Sequence, residues 1–357
     1  MKRVLYITHL LANSLYGGAE TQLLKTMAKI NESSGEFVVD LFQQWNNEIH
    51  DYDILHLFNP RGFPTESLSI ARFAKYGGMK VVVTPVFYHH SGIAKGIEGG
   101  PSFFLYERLS EDFRKLLRMK YFSPLDPYAS IGSLLKESHL ILPNTLEETS
   151  QLVRFFDIDE QKVFQVPNGI DLDFKYGTPS LFAQMYNVED FILFVGRIEP
   201  HKNVLRLIEQ FVASGLDAHL VIIGKPTHAY YYELCKKAAN ERVMFLPPLS
   251  HDSDMLRSAY KAAKVVALPS YYETPGLVAL EGGLAGANVI ITKNGGTKEY
   301  FKDFAKYVNP TSDSSIREAL VDAYNSPRSS ILSQHIEKNF TWRIVADRTI
   351  EAYQKVC

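Results

Sequence analysis

The sequence predicts an α/β chain made of two doubly wound, parallel-sheet domains facing each other across a cleft. Three observations carry this prediction: the length, the alternation of short apolar runs with helical patterns, and the return of that alternation after an irregular central stretch. The chain has 357 residues, long for one typical domain and right for two. Strands buried on both faces read as continuous Val/Ile/Leu runs, and strand–helix alternation gives parallel sheets. The first half offers such runs at residues 4–8, 38–42, 54–58, 81–86, 140–143 and 163–166. The second half offers them at residues 191–195, 220–223, 243–246, 265–268 and 289–292. The boundary falls near residues 168–188, where Pro167-Asn168-Gly169 is a turn signal and the following stretch is polar and irregular. Residues 1–170 are thus expected to form the first domain and residues 171–339 the second. Residues 340–357 read as one closing helix, with Ile344, Val345, Ile350 and Tyr353 on its apolar side.

Composition narrows the function. Hydrophobic residues make up 46% and charged residues 22% of the chain, a globular balance that argues against disorder. The formal net charge is −2, with no basic domain or stripe, so nucleic acid is not an expected partner. Cys235 and Cys357 are the only cysteines and support neither a metal cluster nor a disulfide framework; the expected setting is reducing and cytoplasmic. The N-terminus has two basic residues and an apolar run, as a signal peptide would. That run is short and leads into Gly17-Gly18 without a small-residue cleavage site, so a buried first strand is the better reading. No apolar stretch approaches the roughly 20 residues of a membrane span.

Open parallel sheets bind substrates outside the carboxyl ends of their strands, so residues just after each strand are the first candidates. After the run 265–268 comes Ser270-Tyr271-Tyr272-Glu273-Thr274-Pro275-Gly276-Leu277-Val278-Ala279-Leu280-Glu281. Residues 276–284 read as a helix whose free N–H groups, with Gly276 permitting close approach, suit a phosphate. Glu281 sits among Leu277, Val278, Ala279, Leu280 and Leu284, where a carboxylate needs a partner. Ribose hydroxyls would supply one, and Glu273 would accept from the hydroxyls of a sugar. The plainer alternative pairs Glu281 with a nearby Arg or Lys and leaves Glu273 in solvent.

The run 191–195 leads into Gly196-Arg197, then Lys202-Asn203. Arg can bind two oxygens in a fork and Lys supplies a point charge, so the pair suits a diphosphate and its departure as a leaving group. Asn203 is the expected N-cap of the next helix, and the alternative is a solvated basic loop. Gly295-Gly296 follows another strand, as a phosphate or sugar contact or as a plain turn. In the first half, Gly17-Gly18-Ala19-Glu20 opens a helix. It is not G-x-G-x-x-G, and no acidic residue ends the next strand at the expected distance, which weakens a dinucleotide reading. A glycine loop here would let backbone approach the donor, or it is a helix-entry turn. His89 and His90 follow the run 81–86, where a histidine can orient a hydroxyl or share a proton; an exposed loop is the alternative. Residues 113–122 interleave Arg114, Lys115, Arg118 and Lys120 with Leu116, Leu117 and Met119. This is either a membrane-surface helix, which would imply a lipid-linked acceptor, or an ordinary surface helix.

Taken together, these segments resemble glycosyltransferase family 4, the retaining GT-B enzymes also called glycosyl transferases group 1. The E-x7-E signature resembles Glu273 to Glu281 with Gly276 between. The V-G-R…K-N segment is similar to Val195-Gly196-Arg197…Lys202-Asn203, the early G-G-x-E resembles Gly17–Glu20, and V-P-N-G-I-D stands at Val166 to Asp171. Thr341-Trp342 resembles the start of the family's closing helix. The resemblance implies GT-B architecture: a Rossmann-like N-terminal acceptor domain, a Rossmann-like nucleotide-sugar donor domain, and a C-terminal helix crossing back to the first. It implies metal-independent transfer with retention and no cofactor beyond the donor. It places Arg197 and Lys202 on the diphosphate, Glu281 on the ribose and Glu273 on the hexose. Gly17, Gly18, Pro275, Gly276, Leu277 and Val278 complete the expected donor contacts. Family members often carry a histidine directly after the fourth strand; here Pro85-Val86-Phe87-Tyr88 intervenes and displaces His89 and His90, the acceptor-side candidates. The catalytic candidates are Arg197, Lys202, Glu273 and His90.

The expected function is transfer of a hexose from a UDP- or GDP-linked donor to a glycan, lipid-linked or small-molecule acceptor. Cell-surface polysaccharide or glycoconjugate synthesis is the expected context, in the cytoplasm with peripheral contact to an anionic membrane on its cytoplasmic face. The alternatives are a nucleotide-sugar epimerase of the same shape and a non-catalytic nucleotide- or carbohydrate-binding protein. A nicotinamide dehydrogenase lacks its glycine fingerprint here.

Overall fold

The computed structural model describes residues 1–10, 12, 17–88 and 127–357. The chain divides into two compact units, Met1–Gly169 with Trp342–Cys357, and Ile170–Thr341.

In the first unit the apolar runs form β1 (Lys2–Ile7), β2 (Phe37–Leu41), β3 (Ile54–Phe58), β4 (Lys80–Thr84) and β5 (Leu140–Ile141). They make one parallel sheet in the order β2-β1-β3-β4-β5. Alternate residues feed different cores, as the period-two geometry of a strand requires. Leu5 and Ile7 pack with Ala71 and Ala74 of helix Pro64–Tyr76 and with Leu134 and Leu135 of helix Pro127–Glu137. Val4 and Tyr6 pack with Leu23 and Ile30 of helix Gly18–Ser33. Helices therefore cover both faces of the sheet.

Helix Trp342–Gln354 belongs to this first unit: Trp342, Val345, Ala346, Ala352 and Tyr353 join the core beside Leu23 and Ile30. A buried polar chain ties it to the sheet. The Tyr353 hydroxyl donates to the Tyr6 hydroxyl at 2.8 Å and meets His56 Nδ1 at 2.7 Å, while His56 Nε2 meets the Thr84 hydroxyl at 2.9 Å. Because Tyr353 gives its proton to Tyr6, it accepts from the imidazole, and Thr84 donates to the other ring nitrogen. His56 is thereby neutral, and burial lowers its pKa to about 3.

Three expectations are corrected in detail. Residues 163–166 make no strand; Val163 forms only a single bridge to Ile141. β4 stops at Thr84 because Pro85 has no N–H for a ladder, and Val86 turns to φ +47°. The closing helix starts at Trp342, since Ile170 holds Phe340 and Thr341 extended through a 2.8 Å bond to the Phe340 carbonyl and a bridge to Thr341.

The second unit holds β6 (Ile192–Val195), β7 (Leu220–Ile223), β8 (Val243–Leu246), β9 (Val265–Leu268), β10 (Asn288–Thr292) and β11 (Lys306–Val308), all parallel. The strand order is β11-β10-β9-β6-β7-β8. The chain winds outward from β6 to β8, then returns to build β9 to β11 on the other side. The reversal lies between β6 and β9, which is where ligands of such sheets bind.

Candidate active site

Two loops leave the carboxyl ends of β6 and β9 and clasp one another. After β6, Pro200–Lys202 makes a tight turn and Asn203, at φ 59°, leads into helix Val204–Ser214. Asn203 does not cap this helix with its side chain. Its buried amide instead donates to the carbonyls of Pro269, at 3.1 Å, and Pro310, at 2.9 Å. Tyr271 N–H donates to the His201 carbonyl at 3.0 Å. The third tie is chemical: Lys202 Nζ lies 2.7 Å from Glu273 Oε1. Glu273 is buried, which by itself pushes its carboxyl up, but the Lys202 charge and hydrogen bond outweigh this and hold it below the ordinary range. Lys202 and Glu273, singled out separately in the sequence, are thus one ion pair. Arg197 is more exposed and lies 3.3 Å from Glu199.

Glycine sets where Glu273 can sit. Gly295 follows β10 with φ +95°, and a Cβ there would fall 2.0 Å from the Glu273 carbonyl oxygen. No other residue fits. Glu273 N–H donates to Asn294 O at 3.3 Å, and Gly296 N–H donates back to Glu273 O at 3.2 Å. Gly295-Gly296 therefore acts on the backbone that carries the carboxylate.

Pro275 and Gly276 then start helix Leu277–Ala285, Gly276 at φ +84°. The N–H groups of Leu277 and Val278 open the helix without intrahelical acceptors, and both residues are half-buried. Glu281 is buried, but its partner is neither Arg nor Lys. Oε1 lies 3.0 Å from His251 Nε2, and Oε2 accepts from the Tyr260 hydroxyl. Phe174 meets both of those rings edge-on, at centroid distances of 5.2 and 5.3 Å. Glu273 and Glu281 therefore share no partner and form two separate polar centres. Neither His251 nor Tyr260 was legible as a site residue, because their link to Glu281 spans 30 and 21 residues.

In the first unit Gly17 precedes helix Gly18–Ser33, and Glu20 Oε2 accepts from Gly17 N–H at 2.8 Å. This is the reach-back half of a capping box. Glu20 Oε1 also holds His9 Nε2 at 2.9 Å. His9 lies just past β1, whose neighbours β2 and β3 mark the reversal of this sheet. Its position after a strand was the one available signal. His89, His90 and residues 113–122 lie outside the described residues. Among the described residues, no group of three His, Cys, Asp or Glu is placed to hold a metal ion.

Residues 184–340 match the family model described as glycosyl transferases group 1. D-inositol 3-phosphate glycosyltransferase of Rhodococcus jostii (strain RHA1) is 30% identical over 244 residues, covering 62% of this chain and 53% of that protein. An uncharacterized glycosyltransferase of Methanocaldococcus jannaschii is 28% identical over 267 residues, covering 69% of this chain and 64% of that protein. The chain spans about half the length of the first curated relatives it matches. Among solved structures, sucrose-phosphate synthase from Thermosynechococcus elongatus matches with TM-score 0.75 at 16% identity, covering 100% of this chain and 99% of that one. Anabaena HepE in complex with UDP matches with TM-score 0.71 at 15% identity, covering 99% of this chain and 100% of that one. The chain has the GT-B fold, two parallel-sheet α/β domains. The residues that match the glycosyl transferases group 1 model lie within its second unit.

Proposed function

We propose that the chain is a retaining glycosyltransferase that moves a hexose from a UDP- or GDP-linked donor to a hydroxyl of a glycan, lipid-linked or small-molecule acceptor, without a metal ion. The observation that carries this reading is the Lys202–Glu273 pair at the β6–β9 reversal, beside the opening of helix Leu277–Ala285. A cation, a sugar-type acceptor group and free helix N–H groups converge where a parallel sheet binds its ligand. The family match and the glycosyltransferase relatives support the same reaction class. That HepE was solved in complex with UDP supports a nucleotide donor.

In this reading Lys202, Arg197 and the N–H groups of Leu277 and Val278 hold the diphosphate. Glu281 accepts from the ribose hydroxyls and Glu273 from the hexose. Lys202 serves twice: it keeps Glu273 ionised, and it stabilises the charge that grows as the diphosphate departs. The acceptor hydroxyl forms the new bond on the face from which the diphosphate leaves, and its proton passes to a departing phosphate oxygen. This transfer requires no side chain as a covalent nucleophile. Acceptor recognition falls to the first unit, in polysaccharide or glycoconjugate synthesis at an anionic membrane surface. No helix among the described residues is long and apolar enough to cross a membrane.

Lys202→Ala and Glu281→Ala should each lower turnover about a hundredfold or more with a competent donor. Wild-type rates in both variants would overturn the assignment.

A further inference from the structure

We propose that His251 is a positioning residue of the nucleoside subsite, holding the Glu281 carboxylate for ribose, and that nucleotide-sugar binding expels the proton His251 carries. The inference rests on reading the second unit as the donor domain, and it begins with an unbalanced charge. Glu281 lies in a helix of otherwise apolar and glycine residues, with only 4% of its side chain exposed. An ionised carboxylate so placed needs compensation. Its hydrogen-bond partners are the Tyr260 hydroxyl and His251 Nε2. Tyr260 is neutral, since burial and the adjacent Glu281 drive its phenol well above the usual range. When protonated, His251 supplies the positive charge that meets this carboxylate.

The surroundings of His251 favour that charge. Three carboxylates face it: Glu281 at 3.0 Å from Nε2, Asp252 at 3.5 Å from Nδ1, and Asp171 at longer range. The Glu281 hydrogen bond is the largest influence and, with the other carboxylates, outweighs the opposing effect of burial, so the pKa lies above its ordinary 6.5. Phe174, packed edge-on against both His251 and Tyr260, fixes the two rings.

Ribose changes this balance in two ways of the same sign. Each ribose hydroxyl donates to the carboxylate and takes over part of the stabilisation the imidazolium gave. The nucleoside also removes water from the 36% of the His251 side chain that is exposed, which disfavours its charged form. The complex therefore binds fewer protons than the free protein. Affinity is full above the free pKa of His251 and falls as pH drops through it, by at most about tenfold per pH unit.

The test is calorimetric titration of the whole chain with UDP-glucose and with GDP-mannose, in two buffers of unlike ionisation enthalpy, between about pH 6 and pH 8. Wild type should release a fraction of a proton per nucleotide sugar bound. His251→Ala should bind about tenfold more weakly. His251→Gln, which still offers Glu281 an N–H, should recover most of that loss yet release no proton and show no pH dependence. Proton release undiminished in His251→Gln, or wild-type affinity in His251→Ala, would overturn the inference while leaving the donor-site reading intact. Binding of neither nucleotide sugar to wild type would overturn that reading and this inference with it.

Discussion

Lowering the pH should destabilise the first unit through His56. Its neutral ring accepts from Thr84 and donates to Tyr353, and burial lowers its pKa from 6.5 to about 3. Because the folded value is the depressed one, the contribution to stability is full above 6.5 and is lost as pH falls from there toward about 3. Below 6.5 the unfolded chain gains about 1.4 kcal/mol per pH unit that the folded chain cannot match. The loss is therefore about 2 kcal/mol at about pH 5, and about 5 kcal/mol once both states are protonated. The chain supplies its own probe. Both tryptophans, Trp45 and Trp342, lie in the first unit, and Trp342 is buried. Urea unfolding followed by tryptophan fluorescence thus reports on this unit. Other groups titrate as well, so the comparison is with His56→Asn, which cannot. Wild type should lose about 2 kcal/mol more than the variant between about pH 7.5 and about pH 5. Parallel losses in the two proteins would refute the reasoning.

Two further predictions concern the clasp around Glu273. Gly295→Ala places a methyl 2.0 Å from the Glu273 carbonyl oxygen at φ +95°, so it should destabilise the second unit by about 2–3 kcal/mol and impair donor binding, measured by thermal unfolding and nucleotide titration. An unchanged midpoint would show that Gly295 does not fix this backbone. Lys202→Ala leaves the Glu273 carboxylate buried without its cation and should destabilise by about 2 kcal/mol, a figure reduced because Lys202 is 21% exposed. Lys202→Ala combined with Glu273→Gln should recover much of that loss in urea unfolding; strict additivity would mean that the pair is not coupled.

Much of the fold was legible because both sheets are parallel and buried on two faces. Runs such as Leu220-Val-Ile-Ile and Val265-Val-Ala-Leu have no polar alternation and read as strands at once. β11 was not, because Lys306-Tyr-Val is three residues long and begins with an exposed lysine. It is a strand only through its register with Ile290, Ile291 and Thr292. The candidate site residues adjoining strand ends, Lys202 and Glu273, were legible one at a time by the carboxyl-end rule. Their pairing was not, since 71 residues separate them and the β6–β9 reversal alone brings them together. Glu281 was recognisable as a carboxylate needing a partner, but a histidine in one loop and a tyrosine in another helix can only be found in three dimensions. Asn203 shows the opposite error: its sequence position suits a cap, while its amide serves the carbonyls of Pro269 and Pro310.

The most direct test of the proposed donor site is a thermal-shift panel of UDP, GDP, ADP and their sugar derivatives, run on wild type and Glu281→Ala. A ligand that binds only the folded state at about a hundredfold above its Kd stabilises by about 2.7 kcal/mol. One base class should raise the unfolding midpoint of wild type, and Glu281→Ala should lose most of the shift. No shift with any nucleotide, or an equal shift in the variant, would contradict it.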